Sequence, residues 1–409
     1  MSTEKLQIWI TSKASPDWFA YVKRLSANDT GASGGHGSGI YIPSTVTERV
    51  FPSLLDRDTH NPDYLFKAQV DSHDLEIQEL RAIYYNSKFS ENRANGRDEH
   101  RITRWKQGVD YAPLQDPENT GALAIFAFQV DLSGTGIEQM SVWVCRCVEE
   151  EDYIEGLVGE VLPAASLFKP LNELFGGVAQ LPLFQEVDLE LPNEWVAVFP
   201  SGQAIIDFVV EQFAFSDLDP DRRLLKRREQ EYVVFRMIED LHALPLIRSG
   251  FNSVEDFVTL ANSISNRRKS RAGRSLELHL EKIFIEEGLS GFDTQVTTEG
   301  NKKPDFLFPS VDAYKNTQFP DTKLNMLAVK TTLKDRWRQI LNEANRIPDK
   351  YLFTLQEGVS ENQFKEMQAE GVSLVVPKAL IRKYPEAVRG GLTSLEEFIS
   401  HIRKVSETR

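Results

Sequence analysis

Two stretches, KKPDFLFP (residues 302–309) and NMLAVKTTLKDRW (residues 325–337), decide how the second half of the chain is read. Each is a short apolar run bounded by proline or charge, the pattern of a buried strand. Asp305 stands at the head of the first and Lys330 at the tail of the second, with twenty-four residues between them. That length suffices for a loop and a returning strand. A lysine at the tip of a buried strand is costly unless something negative meets it. A carboxylate and a lysine at neighbouring strand ends could meet over one phosphate.

Around these strands the pattern alternates. SLELHLEKIFIEEGL carries an apolar helical seam of Leu276, Leu280, Ile283 and Phe284, and a helix is expected from Asp335 to about Ile347. KYLFTLQ and VSLVVP read as further strands, with a helix near ENQFKEMQAEG between them. Upstream, SGQAIIDFVVEQFAF, EQEYVVFRMIEDLHALPLI and SVEDFVTLANSIS read as amphipathic helices. Strands alternating with helices imply a mixed sheet between helices. The first part differs. GIYIP, YLFKAQV, RAIYYNS, GALAIFAFQV and SVWVCRC are short strands separated by turn-forming residues, which suggests a mostly β barrel or sandwich. The expected organisation is a β-rich domain over 1–172, an irregular linker over 173–190 and an α/β domain over 191–409.

The 409 residues allow two domains or three small ones, and 41% hydrophobic with 26% charged residues argues against wholesale disorder. No uncharged apolar run reaches the length of a membrane span, and the N-terminus lacks a signal-type apolar core, so a cytoplasmic protein without a membrane partner is expected. The two cysteines, Cys145 and Cys147, are expected on one face of a strand as buried thiols, too few to build a zinc site. A net charge of −14 disfavours indiscriminate nucleic-acid binding. Local clusters matter more: Arg93–Lys106 holds five Lys/Arg against two acids, and Arg267–Arg274 holds five basic residues and no acid. Each cluster suits either a phosphate backbone or a solvated helix face. The glycine-rich GASGGHGSGIY is not a phosphate-binding P-loop, because no Gly-Lys-Ser/Thr ending follows.

Phosphodiester cleavage near neutral pH needs a divalent ion to neutralise charge and activate water, with a cation beside the nucleophile. Asp305 with Lys330 is the minimum set for this. A second carboxylate is usually expected two residues before the lysine, where Ala328 stands. Glu343, on the helix that follows, and Glu277, flanking the SLELHL seam, are the candidates to replace it. Taken singly, each of these residues is more often structural. A DNA-binding regulator with an inactive nuclease half, and a structure-selective repair nuclease, remain open alternatives.

The segments SNRRKSRAGRSLELHLE (265–281), TEGNKKPDFLFP (298–309) and LAVKTTLKDRWRQILNEA (327–344) closely resemble the catalytic half of EcoRII-type restriction endonucleases. KRLSANDTGASGGHGSGIYIP (23–43), RAIYYNS (81–87), RITRW (101–105) and LQDPENTGAL (114–123) resemble their DNA-binding half, so the likeness spans essentially the whole chain. It implies an α/β plus β fold class: an N-terminal β-rich, B3-like DNA-binding pseudobarrel and a C-terminal PD-(D/E)XK endonuclease domain. It further implies a type IIE homodimer of a bacterial cytoplasm that cuts double-stranded DNA at CCWGG-like sites with Mg²⁺. Such an enzyme engages several copies of the site, and its N-terminal domain activates allosterically and autoinhibits. By motif, Asp305, Glu343 and Glu277 would bind metal, and Lys330 would position or activate water. Tyr314 falls in the matched region without an evident role. Lys334, Asp335 and Arg336 align with the base-reading segment, whose chemistry suits C·G pairs. In the first half, Glu99, His100 and Arg101 would form one recognition arm, with Arg97 and Arg104 near phosphates, and the glycine-rich loop with His36 and Tyr41 the second.

Overall fold

The computed structural model describes residues 2–33, 39–105, 112–131, 136–161, 165–175, 189–289 and 291–407. Two compact units emerge: Met1–Pro182 with Glu357–Gln363 and Lys383–Glu386, and Leu183–Gln356 with Phe364–Arg382 and Ala387–Arg409. Of the expected linker, residues 176–188 lie outside the described residues.

The first unit is built on an eight-stranded curled sheet. Its strands are β1 (Trp18–Arg24), β2 (Ile40–Ile42), β3 (Asp63–Val70), β4 (Gln78–Tyr85), β5 (Glu99–Thr103), β6 (Leu123–Val130), β7 (Ile137–Val144) and β8 (Ser166–Pro170), in the order β2-β5-β4-β3-β7-β6-β1-β8. Pairing is antiparallel except between β3 and β7. Both faces are buried, and β6 makes the reason visible. Leu123, Ile125 and Ala127 enter one core while Ala124, Phe126, Phe128 and Val130 enter the other, as a period of two dictates. The first core includes residues of the helix Val148–Val158 and of the N-terminal helix Ser2–Thr11; the second packs around Phe51, Phe66 and Tyr84. β7 stops at Val144, which corrects the expectation for the cysteines. Cys145 is buried beyond the strand end, and Cys147, half-buried, caps the helix Val148–Val158; neither is in a disulfide.

The second unit carries a mixed five-stranded sheet of β9 (Asp293–Thr294), β10 (Phe306–Phe308), β11 (Asn325–Lys330), β12 (Lys350–Thr354) and β13 (Val372–Val375), in the order β13-β12-β11-β10-β9. β11, β12 and β13 run parallel, and β9 and β10 are antiparallel additions. The expected seam of Leu276, Leu280, Ile283 and Phe284 packs with Phe306, Phe308, Leu327, Val329 and Phe353 in one core. Alternation along β11 sends Leu327 and Val329 into that core and puts Met326, Ala328 and Lys330 on the other face.

Two elements depart from expectation. Residues 254–286 form one continuous helix, Val254–Glu286, running through the basic cluster where two helices were expected. It lies against the 30-residue helix Pro220–Ser249, and the cluster supplies the seam between them. Arg271 grips Glu231 bidentately at 2.8 and 2.5 Å, and Arg268 grips Glu239 at 2.8 and 2.6 Å. These arginines are therefore neither phosphate contacts nor solvated charges; they are interhelical ion pairs. Finally, the expected helix after Lys330 is a 3-10 helix, Lys334–Asn342, which ends before Glu343. Apolar residues of the helix and of the segment after it still face inward, with Trp337, Ile340, Ala344 and Ile347 buried. Among the described residues no helix is long and apolar enough to cross a membrane.

Candidate active site

Asp305 and Lys330 meet, as the spacing requires. The Lys330 Nζ lies 3.4 Å from Asp305 Oδ2, and the same oxygen accepts the Val329 backbone N–H at 2.7 Å. β10 and β11 pair Phe306 with Leu327, so the residue before β10 and the last residues of β11 sit at one sheet end. Asp305 is buried, and the Lys330 side chain retains about a fifth of its surface.

Glu277 joins through an intermediary. Gln295, at the end of β9, donates from Nε2 to Asp305 Oδ1 at 2.8 Å and to Glu277 Oε2 at 3.0 Å. Arg274, one turn earlier on the same helix, also pairs with Glu277. Burial raises the Glu277 carboxyl above its ordinary range, and the neighbouring Asp305 charge adds to this. Glu343 is half-buried at the end of the 3-10 helix, where the backbone turns through a left-handed Ala344. One of its oxygens, Oε2, is buried without a hydrogen-bond partner. Burial pushes its carboxyl up to about 7, with the Lys330 charge opposing and the Asp305 charge reinforcing the shift. Glu343 therefore lies within electrostatic reach of both strand-end residues. Ala328 is fully buried, so a carboxylate there would be costly without a partner.

Tyr314 stands apart from these four. Its hydroxyl donates to Glu299 Oε1 at 2.6 Å and accepts the Arg346 N–H at 3.2 Å, and the Arg346 guanidinium bonds the backbone of Tyr314, Asn316 and Phe319. The tyrosine thus fastens the segment immediately after Glu343. Burial, then the Glu299 carboxylate, raises its phenol to about 12. Sequence reasoning missed Gln295 altogether. It also missed Lys302 and the buried Lys350, whose charges both act on Glu343. A strand-leading lysine such as Lys350 was a readable signal; the Gln295 bridge was not.

No three His, Cys, Asp or Glu side chains converge on a common point among the described residues. Mg²⁺ does not demand that, because it is commonly held by one or two carboxylates plus water and substrate phosphate. The orphaned Glu343 oxygen and the clustered acids match the oxygen preference of such an ion.

On the first unit, β2 and β5 pair Tyr41 with Arg101 and Ile42 with His100. Tyr41 is exposed, while Arg101 and His100 are buried. Arg101 donates to Gly39 O at 3.2 Å and to Glu99 at 3.1 Å, so its side chain ties β5 to the residue leading into β2. His100 stacks on Tyr84 with ring centroids 4.2 Å apart, and burial lowers its pKa. Arg97 is exposed, its guanidinium lying over the Tyr85 ring, and Arg104 is exposed with a left-handed backbone. Arg336 is half-buried on the 3-10 helix. His36 and the side chains of Lys334 and Asp335 lie outside what the structure describes.

Two family models match the chain: the N-terminal domain of restriction endonuclease EcoRII over residues 14–173, and the EcoRII C-terminal domain over residues 235–399. The type II restriction enzyme EcoRII of Escherichia coli is 51% identical over 396 residues, covering 96% of each chain. The type II restriction enzyme SsoII of Shigella sonnei is 28% identical over 146 residues, covering 31% of this chain and 46% of its own. Among solved structures, the restriction endonuclease PspGI in a substrate DNA complex superposes with a TM-score of 0.44 at 16% identity. It covers 55% of this chain and all of its own.

Proposed function

The chain belongs to the EcoRII family of type II restriction enzymes, and from that premise we propose how this site-specific endonuclease works. The proposed substrate is double-stranded DNA at CCWGG-like sites, cut with Mg²⁺ by a cytoplasmic homodimer that engages more than one copy of the site. The observation that carries the catalytic part is the meeting of Asp305 and Lys330 at one sheet end, with Glu343 in electrostatic reach.

Asp305, with Glu343 and Glu277, would hold the ion, which when bound neutralises phosphate charge and acidifies a water. Lys330 places a fixed positive charge beside Asp305, where it can hold a phosphate oxygen and orient the attacking water. Glu343, with an oxygen that has no hydrogen-bond partner, would complete the oxygen set offered to the ion. Lys334, Asp335 and Arg336 would read bases, a segment that begins four residues after Lys330 on the same run of chain. Tyr41, Arg97 and Arg104 supply the exposed groups of an N-terminal DNA surface. Glu99, His100 and Arg101 would frame it, and His36 would reach from the glycine-rich arm.

Leu246, Ile247, Phe251, Val254 and Phe257, exposed around the turn between the two long helices, are apolar surface that pairing of two chains would cover. The proposed domain limits remain 1–172, 173–190 and 191–409, with the first acting as allosteric activator and autoinhibitor. Incubating the protein with Mg²⁺ and a plasmid carrying several CCWGG sites, then sequencing the run-off ends, tests the specificity. Ends at unrelated sequences would refute it. Removal of residues before about 185 should release cutting of single-site DNA; a folded but inert fragment would refute autoinhibition.

A further inference from the structure

Gln295 occupies a conformation that a glutamine has no intrinsic reason to adopt. Its φ is +53°, in the left-handed region that crowds any side chain with a Cβ. Tertiary structure must hold it there, and the holding contacts all lead to the catalytic centre. Its backbone N–H bonds Asp305 O at 3.3 Å, and its side-chain nitrogen bonds Asp305 Oδ1 and Glu277 Oε2 at 2.8 and 3.0 Å. An amide nitrogen has two hydrogens, one for each carboxylate. Ionised carboxylates only accept, so the amide orientation is fixed by its partners and not by choice of assignment.

We propose that Gln295 is a positioning residue for the reaction: its amide holds the Asp305 and Glu277 carboxylates side by side before a divalent ion binds. This inference rests on the reading of those acids as ion ligands. Two acids drawn together in a half-buried site repel each other when both are ionised. A neutral donor between them lowers the repulsion without adding a charge that would compete with the incoming cation. Arg274 cannot serve the same end. It is exposed, and its pairing with Glu277 is a local contact within one helix that does not reach Asp305. Preorganisation of this kind commonly affects metal affinity by about 10–100-fold.

The test uses Mn²⁺ binding to the full chain without DNA, followed by electron paramagnetic resonance, with thermal melting in parallel. Gln295→Met keeps the length and removes the donor. Gln295→Gly removes the amide and relieves the left-handed backbone. Both should weaken Mn²⁺ binding about tenfold, while Gln295→Gly melts at or above the wild-type temperature. Loss of affinity without loss of stability separates a positioning role from a structural one. Binding that stays near wild type in both variants, or tightens, overturns the proposal. Wild-type binding that Asp305→Ala leaves intact would instead sink the assignment of the ion site itself.

Discussion

Each unit contains a buried aspartate paired with a lysine, and the two pairs are built differently. In the first unit Asp29 meets Lys23 at 2.7 Å, and its oxygens also accept the Ser26 N–H, the Ser26 hydroxyl and the Tyr41 N–H. Burial alone would raise the Asp29 carboxyl; Lys23 and the Ser26 donors outweigh it and hold the group below its ordinary range. In the second unit Lys330 stands 3.4 Å from Asp305, more exposed than Lys23, beside a glutamate with an oxygen that nothing satisfies. The closed pair spends its bonding capacity on the fold. The looser pair, with the unpartnered Glu343 oxygen near it, leaves capacity that a ligand could use.

Substitutions can break this contrast. Asp305→Ala should reduce Mg²⁺-dependent cleavage on the order of a thousandfold while leaving DNA binding in place; gel assays of both would report it. Retained cutting would remove Asp305 from the chemistry. Asp29→Ala should do the converse. It strands a buried ammonium and should cost about 3–5 kcal/mol in denaturant unfolding. If Asp29→Ala is instead harmless to stability, the two pairs are not different in kind.

A pH experiment sharpens the comparison further. The folded-state pKa of Glu343, about 7, exceeds its ordinary value of 4.5, so the metal-free fold favours the protonated form. The destabilisation is absent below the unfolded value and fully present above the folded one. Glu343→Gln should therefore raise metal-free stability by about 1–2 kcal/mol near pH 8, discounted for partial exposure, and change little near pH 5. Melting curves at the two pH values decide it; an equal effect at both would exclude titration as the cause. The smallest effect is expected at Tyr314→Phe. Loss of its bonds to Glu299 and Arg346 should cost about 1 kcal/mol of stability and loosen the segment after Glu343, lowering cleavage modestly. Unchanged cleavage would detach Tyr314 from the site.

The strands were legible because their apolar runs are short and bounded by turn residues. β3, β4 and β6 fall on the expected runs, β7 begins earlier and stops before the cysteines, and β10 and β11 bring Asp305 to Lys330 as their spacing implies. The seam Leu276–Phe284 was legible for the same reason. What stayed hidden depends on partners distant in sequence. The helix Val254–Glu286 continues through a basic stretch because Glu231 and Glu239 of another helix neutralise it, and periodicity within the stretch carries no trace of them. Lys334–Asn342 has helical spacing but closes as a 3-10 helix, and the chain turns at Ala344 under the Tyr314 and Glu299 contacts. Arg101 was placed in a recognition arm by resemblance; that its guanidinium is buried against Gly39 is a tertiary contact the sequence does not carry.

The proposed catalytic groups and the Gln295 that positions them come from separate elements: a helix for Glu277, strand ends for Gln295, Asp305 and Lys330, and the close of a 3-10 helix for Glu343. A site so dispersed has no partial version. A chain leaving the ribosome carries no cutting centre until residue 343 has emerged and the sheet has closed around it. Cutting competence then reports the folding of the second unit alone, and copies that stop short of residue 343 lack part of the centre.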